Sequence, residues 1–233
     1  MSEPTIEIAA SRTALAKNAA DMIAAELRAA IDQRGQAHFV AAGGTTPGEC
    51  YKALAKEDID WNRVFITLSD ERWVDTMAPQ SNEYVLRETL LVGPAANAHF
   101  LTLKARRGGF EDGAKRVDAA VRDLAPFDVV LLGMGEDGHF ASLFPRHAAL
   151  AAGLNARADR YVIGVAPASP APDVPRVSLT LAALLHSRLI IVLIAGDAKW
   201  KVVNEAAGRD PHQTPIAALF DQHVAPVRVL WAP

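Results

Sequence analysis

One histidine stands apart from the other six of this 233-residue chain. His139 closes the glycine-rich run Gly133-Met134-Gly135-Glu136-Asp137-Gly138, which directly follows the apolar stretch 127–132. An imidazole near its ordinary pKa of about 6.5 is the side chain best suited to move protons at neutral pH. Asp137 is near enough in sequence to influence how that imidazole is oriented. The remaining histidines, His38, His99, His147, His186, His212 and His223, are read as structural. Gly133, Gly135 and Gly138 formally spell the G-x-G-x-x-G of dinucleotide-binding folds. That fingerprint needs a full helix opening at its third glycine, however, and Pro145 would break or kink such a helix about two turns on.

Two further loops carry groups suited to an anion. In Gly43-Gly44-Thr45-Thr46-Pro47-Gly48 the glycines let the backbone approach a ligand, Thr45 or Thr46 is placed to cap a helix, and Pro47 suits its first turn. Free N–H groups would then point into the loop. A P-loop is excluded, because Glu49 stands where its lysine belongs. Taken alone, the same residues also make a tight strand-to-helix turn with a good cap. The second loop is Ser69-Asp70-Glu71-Arg72-Trp73-Val74, followed by Gln80-Ser81-Asn82-Glu83. Arg72 suits bidentate contact with a phosphate, Asp70 and Asn82 suit sugar hydroxyls or bracing of the loops, and Ser81 suits a helix N-cap. Taken alone, this is also the composition of a solvated charge cluster.

The elements that must hold these loops follow from hydrophobic period. Short apolar runs at residues 6–9, 37–42, 63–69, 99–103, 127–132, 161–165, 189–195 and 227–231 read as strands. Residues 12–34 carry Leu15, Ala19, Met22, Ile23, Leu27 and Ala30 at three- and four-residue spacing, leaving Lys17, Asp21 and Arg28 for water. Further helices are expected at 47–55, 82–91, 111–124, 179–185 and 199–207. Strands alternating with helices predict an α/β fold: a three-layer, Rossmann-like open sheet, mostly parallel, with helices on both faces. In such sheets ligands bind beyond the carboxyl ends of the strands, where all three loops fall. The proline-rich stretch 166–175 is expected to be a surface loop, and residues 1–233 a single domain.

Composition narrows the function. Half of the residues are hydrophobic and 22% charged, with 24 basic against 27 acidic side chains, so disorder and a general nucleic-acid or anionic-lipid surface are excluded. The longest apolar run, 189–196, is too short to span a membrane. Residues 1–11 lack the basic and apolar regions of an export signal, and the one cysteine, Cys50, has no partner for an internal disulfide. A cytoplasmic location is expected.

As a set, Gly43-Gly44-Thr45-Thr46-Pro47, Asp70-Glu71-Arg72 with Ser81-Asn82, and Leu132 through His139 to Ala141-Ser142-Leu143-Phe144-Pro145 resemble the 6-phosphogluconolactonase family in order and spacing. The resemblance continues into Pro175-Arg176-Val177-Ser178-Leu179-Thr180-Leu181, similar to the family's P-x-R-[IV]-[TS]-L-T, and Gly196-Asp197-Ala198-Lys199, similar to its G-x-x-K. Phe140 departs from it, since the family usually carries Thr there, and a hydroxyl contact to substrate would be lost. The resemblance implies hydrolysis of a sugar-phosphate lactone without a metal or organic cofactor, by a monomer or small homo-oligomer. It implies His139 as the base and Asp137 as its support. Gly43, Gly44, Thr45, Thr46, Asp70, Arg72, Asn82, Arg176 and Lys199 would bind substrate, with Gly44, Thr45, Arg72, Arg176 and Lys199 on its phosphate. A glucosamine-6-phosphate deaminase/isomerase, of the same superfamily, would need a carboxylate five residues after the histidine, where Phe144 stands. A non-catalytic sugar-phosphate regulator would generally carry an added nucleic-acid-binding domain, for which the chain offers no helix-turn-helix module or basic stripe.

Overall fold

The computed structural model describes residues 4–104 and 108–233. Residues 1–3, part of the segment read for an export signal, lie outside the described residues. Along the chain run β1 (Thr5–Ile8), α1 (Arg12–Arg34), β2 (Ala37–Ala41), α2 (Thr45–Leu54), β3 (Val64–Leu68), β4 (Asp70–Arg72), α3 (Asn82–Thr89), β5 (His99–Phe100), α4 (Phe110–Asp123), β6 (Val129–Leu132), α5 (Leu150–Gly153), β7 (Val162–Val165), β8 (Arg176–Leu179), α6 (Leu181–Leu185), β9 (Ile190–Ala195), α7 (Asp197–Ala206), α8 (Ile216–Phe220) and β10 (Val227–Ala232).

Seven strands form a parallel sheet in the order β1-β10-β9-β6-β2-β3-β5. The four residues of β6 are all buried, as are the first five of β9, so both faces of the sheet centre are covered and these strands are continuous apolar runs. α1 has the predicted bounds. Ser11 Oγ accepts from the Ala14 N–H at its start, and Gly35, in the left-handed region at φ 80°, closes it. Its stripe Leu15, Ala19, Ile23 and Leu27 is fully buried, and each of its larger members contributes about 1.5–3 kcal/mol of apolar burial. α1 also packs on α2, which carries the loop of interest at its N-terminus. Among the described residues no helix is long and apolar enough to cross a membrane.

A second sheet, β4-β8-β7, is antiparallel and was not anticipated. The run 63–69 reads as one strand, but the chain changes sheets at its end. Ser69 N–H still donates to Ala41 O of the large sheet, while Ser69 O already accepts from Leu179 N–H at the end of β8. The segment 161–165 is a strand as expected, but it joins this small sheet. Residues 166–175 do form a connecting loop, and β8 follows at once. It pairs with nearby β7 and with β4, about a hundred residues away, and local period does not reveal the second pairing.

Candidate active site

The carboxyl ends of the large sheet and the small sheet beside them enclose a cavity of about 270 Å³. Gly43, Gly44, Thr45, Thr46, Asp70, Arg72, Asn82, His139, Arg176 and Lys199 all line it, and of the expected catalytic and substrate-binding residues only Asp137 does not. A larger groove of about 610 Å³ between α1 and α2 shares Thr45 and Thr46. Two of its cations are already paired, Lys17 with Asp21 and Lys52 with Glu49.

Asp137 stands behind the histidine. Its Oδ1 lies 2.6 Å from His139 Nδ1 and also accepts from the His139 N–H at 3.1 Å. An ionised carboxylate only accepts, so Nδ1 carries a proton; in the neutral ring Nε2 then holds the lone pair, and it has no partner among the described residues. Burial pushes the Asp137 carboxyl upward, but the hydrogen bond and charge of His139 outweigh it and hold the group below its ordinary range. The loop itself is a tight fold: Gly135 N–H donates to His139 O, and Gly138, at φ 80°, donates to Gly135 O. A side chain at Gly135 would meet His139 Nδ1 at 2.2 Å, so the imidazole sits where only glycine leaves room. No full helix follows this loop, in keeping with the rejection of a dinucleotide fingerprint.

The second loop is not a solvated cluster. Glu71 is fully buried, and its carboxylate accepts from the N–H groups of Arg72, Asn82 and Glu83 and from the Ser81 hydroxyl, at 2.7–2.9 Å. It thus caps the N-terminus of α3 from outside, where the helix dipole favours an anion, while Ser81 caps from within. Asn82 is 2% exposed and braces the loops: its Nδ2 donates to Asp70 O at 2.8 Å and its Oδ1 accepts from Arg72 Nη1 at 2.8 Å. Of the two roles offered for Asn82, bracing is the one its hydrogen bonds occupy. Asp70 accepts from the Ser69 and Ser142 hydroxyls, and Ser142 N–H donates to Ser178 Oγ. Ser142 and Ser178 thereby tie the histidine loop to the small sheet. Both are buried polar residues within the motifs quoted above, but no local sequence signal shows that they meet.

Register explains the cations. Asp70 pairs with Ser178 and Arg72 with Arg176 across the antiparallel β4–β8 ladder, so all four project from one face while Glu71 projects from the other. Two guanidiniums directly opposite each other repel. The Arg176 side chain is 12% exposed; among the described residues its carboxylate neighbours come no closer than Asp173 at 3.7 Å and Asp70 at 3.9 Å, and its buried Nε has no partner. Burial pushes its pKa down, and Arg72 adds to this against the pull of Asp70. Lys199, in the first turn of α7, has no ion pair among the described residues. At the N-terminus of α2 the cap is Gly44, at φ 108°, and no side chain caps it; the expected threonine cap is therefore corrected. The turn needs a backbone shape that threonine avoids. None of the N–H groups of Gly43, Gly44, Thr45 and Thr46 finds an acceptor among the described residues, which leaves four donors at a helix start. Cys50 is buried on α2, and burial pushes its thiol up to about 12, so it supplies no nucleophile. Among the described residues no three His, Cys, Asp or Glu side chains converge as a metal site requires.

An oriented imidazole sharing a cavity with cations and free N–H groups, at the carboxyl edge of a parallel sheet, defines an α/β protein whose site is suited to a small anion. Residues 10–231 match the model of the glucosamine-6-phosphate isomerases/6-phosphogluconolactonase family, and the chain belongs to that family. It is 43% identical over 227 residues to the 6-phosphogluconolactonase of Caulobacter vibrioides, with 97% of each chain covered. It is 40% identical over 223 residues to that of Mesorhizobium japonicum, covering 95% of this chain and 92% of that one. The crystal structure of a 6-phosphogluconolactonase from Shewanella baltica matches with a TM-score of 0.94 at 38% identity, covering 99% of this chain and 98% of that one.

Proposed function

We propose that the protein hydrolyses 6-phospho-D-glucono-1,5-lactone to 6-phosphogluconate, a step of the pentose phosphate pathway, with His139 as general base and no metal or organic cofactor. The observation that carries this reading is the His139–Asp137 pair, 2.6 Å apart, with Nε2 free on a cavity lined by Arg72, Arg176 and Lys199. The 6-phosphogluconolactonases of Caulobacter vibrioides and Mesorhizobium japonicum, similar over nearly the whole chain, support the substrate.

The chemistry balances with these groups alone. A water gives its proton to His139 Nε2 as its oxygen bonds to the lactone carbonyl carbon, and the carbonyl electrons move onto their oxygen. When the tetrahedral intermediate collapses, the bond to the ring oxygen breaks and the imidazolium returns the proton to that oxygen. The new carboxylic acid then ionises to solvent. Asp137 keeps Nδ1 protonated throughout and favours the transient imidazolium. Arg72, Arg176, Lys199 and the free N–H groups before α2 match a phosphate dianion, which would anchor the sugar by charge-assisted hydrogen bonds. A lactone is more reactive than an amide, so an oriented base and a fixed substrate suffice without a nucleophile triad.

The test generates the lactone with glucose-6-phosphate dehydrogenase and follows 6-phosphogluconate through its own dehydrogenase, subtracting spontaneous hydrolysis. The wild-type protein accelerates the step, and folded His139→Ala loses about 10²- to 10⁴-fold. Full turnover in that variant would remove His139 from the role.

A further inference from the structure

The ring of Phe144 takes no part in the steps above, yet it touches two groups that do. It lies behind the cavity wall at 4% exposure. The imidazole of His139 rests against it with ring centroids 4.5 Å apart and planes inclined by 35°. The guanidinium carbon of Arg176 stands 5.2 Å from the same ring's centroid. Asp137 holds the imidazole at one ring atom, Nδ1, and also bonds the residue's backbone N–H. One ring hydrogen bond sets the tautomer but leaves the imidazole room to tilt about its side-chain torsions, carrying Nε2 out of line. A flat apolar surface against the ring removes this freedom.

We propose that Phe144 is a positioning residue for proton transfer at His139, the platform that together with Asp137 fixes where Nε2 points. The inference rests on the reading of His139 as the base. Phe144 is suited to the task because its own position is rigid. It belongs to the apolar core with the buried Phe140 and Leu143, and its carbonyl accepts from His147 N–H. An aromatic face is also the apolar surface that tolerates a neighbouring cation. The platform can therefore hold Arg176 permanently and the imidazolium transiently, where an aliphatic side chain of similar volume would offer neither flatness nor that attraction.

The experiment combines kinetics with the imidazole's own resonances. In the wild-type protein the ring-current field of Phe144 moves the His139 ring protons upfield of those of the exposed His212 and His223, assigned by their disappearance in His139→Gln. Phe144→Leu removes the upfield shift, lowers kcat about 3- to 10-fold and leaves KM within about twofold, and Phe144→Tyr restores most of kcat. His139 protons that show no upfield shift in the wild-type protein would refute the contact without any variant having to fold. A folded Phe144→Leu that keeps its kcat would overturn the positioning role, as would a loss confined to KM, which would put the ring's effect at Arg176. A wild-type protein that does not accelerate lactone hydrolysis sinks the proposed function instead, so the two failures are distinct.

Discussion

Gly135→Ala is the sharpest single perturbation the site offers. A β-carbon at this position would stand 2.2 Å from His139 Nδ1, 2.3 Å from His139 Cε1 and 2.5 Å from Asp137 Oδ1, whereas ordinary contact begins at 3.4 Å. The two side chains must therefore retreat together by roughly 1 Å, a misplacement that costs about 100-fold when it falls on a reacting group, or ~2.7 kcal/mol of transition-state stabilisation. The stability cost is smaller than that of a core insertion, because the pair is not walled in: the side chains of His139 and Asp137 are 28% and 43% exposed and can move toward solvent. The coupled lactone assay, run beside a thermal melt, separates the two effects. The expected result is a folded protein whose kcat/KM has fallen about 100-fold. A folded Gly135→Ala variant with wild-type kcat/KM would show that the imidazole's place against this glycine is irrelevant to turnover, and the role assigned to the pair would go with it.

Asp137→Asn puts an amide where a carboxylate held Nδ1–H, so the imidazole is free to present a protonated Nε2; kcat is expected to fall by about 10²-fold or more, measured at constant pH. The same substitution has a pH signature in stability. Because the carboxyl is held below its ordinary 3.8 in the folded protein, its contribution is complete above that value and is lost as pH falls through the lowered one. The stability gap between wild type and Asp137→Asn in urea titrations should close in acid, and it will be small because the side chain is partly exposed. Lys199→Ala is expected to raise KM for the phosphorylated lactone about 10- to 100-fold while leaving hydrolysis of unphosphorylated glucono-1,5-lactone unchanged; equal losses on both substrates would remove Lys199 from the phosphate. Glu71→Gln faces a buried amide N–H₂ toward N–H donors at the start of α3 and should cost at least about 2 kcal/mol in urea unfolding, within one cooperative transition if residues 1–233 form the single domain proposed. Retained stability there would mean the donors find another acceptor.

The parts of this site legible in the sequence are those where one residue's chemistry and its place after a strand suffice. The glycine run before His139, Asp137 two residues earlier, and the start of α3 at Ser81 needed no distant partner to be recognised. The threonine cap of α2 failed because the turn there demands φ 108°, which glycine adopts freely. The reading of Glu71 stays open between an anion-binding loop and a solvated cluster: its burial shows only once a helix N-terminus is brought onto it, and only the tertiary fold does that. Arg72 and Arg176 each looked suited to an anion, but neither could be seen to face the other. Four-residue β8 has too little period to announce itself, and its partner β4 lies 104 residues away where Arg72 pairs with Arg176. Two like charges opposed on one face of a short ladder work against the sheet that holds them, and neither the distant carboxylates around Arg176 nor its unpartnered Nε relieve the conflict. An anion seated between the guanidiniums would relieve it. Under the proposed function, the repulsion across this ladder and the attraction for a phosphate have one origin, and like charges opposed at a sheet edge are the arrangement expected of a fold that completes its electrostatics with its substrate.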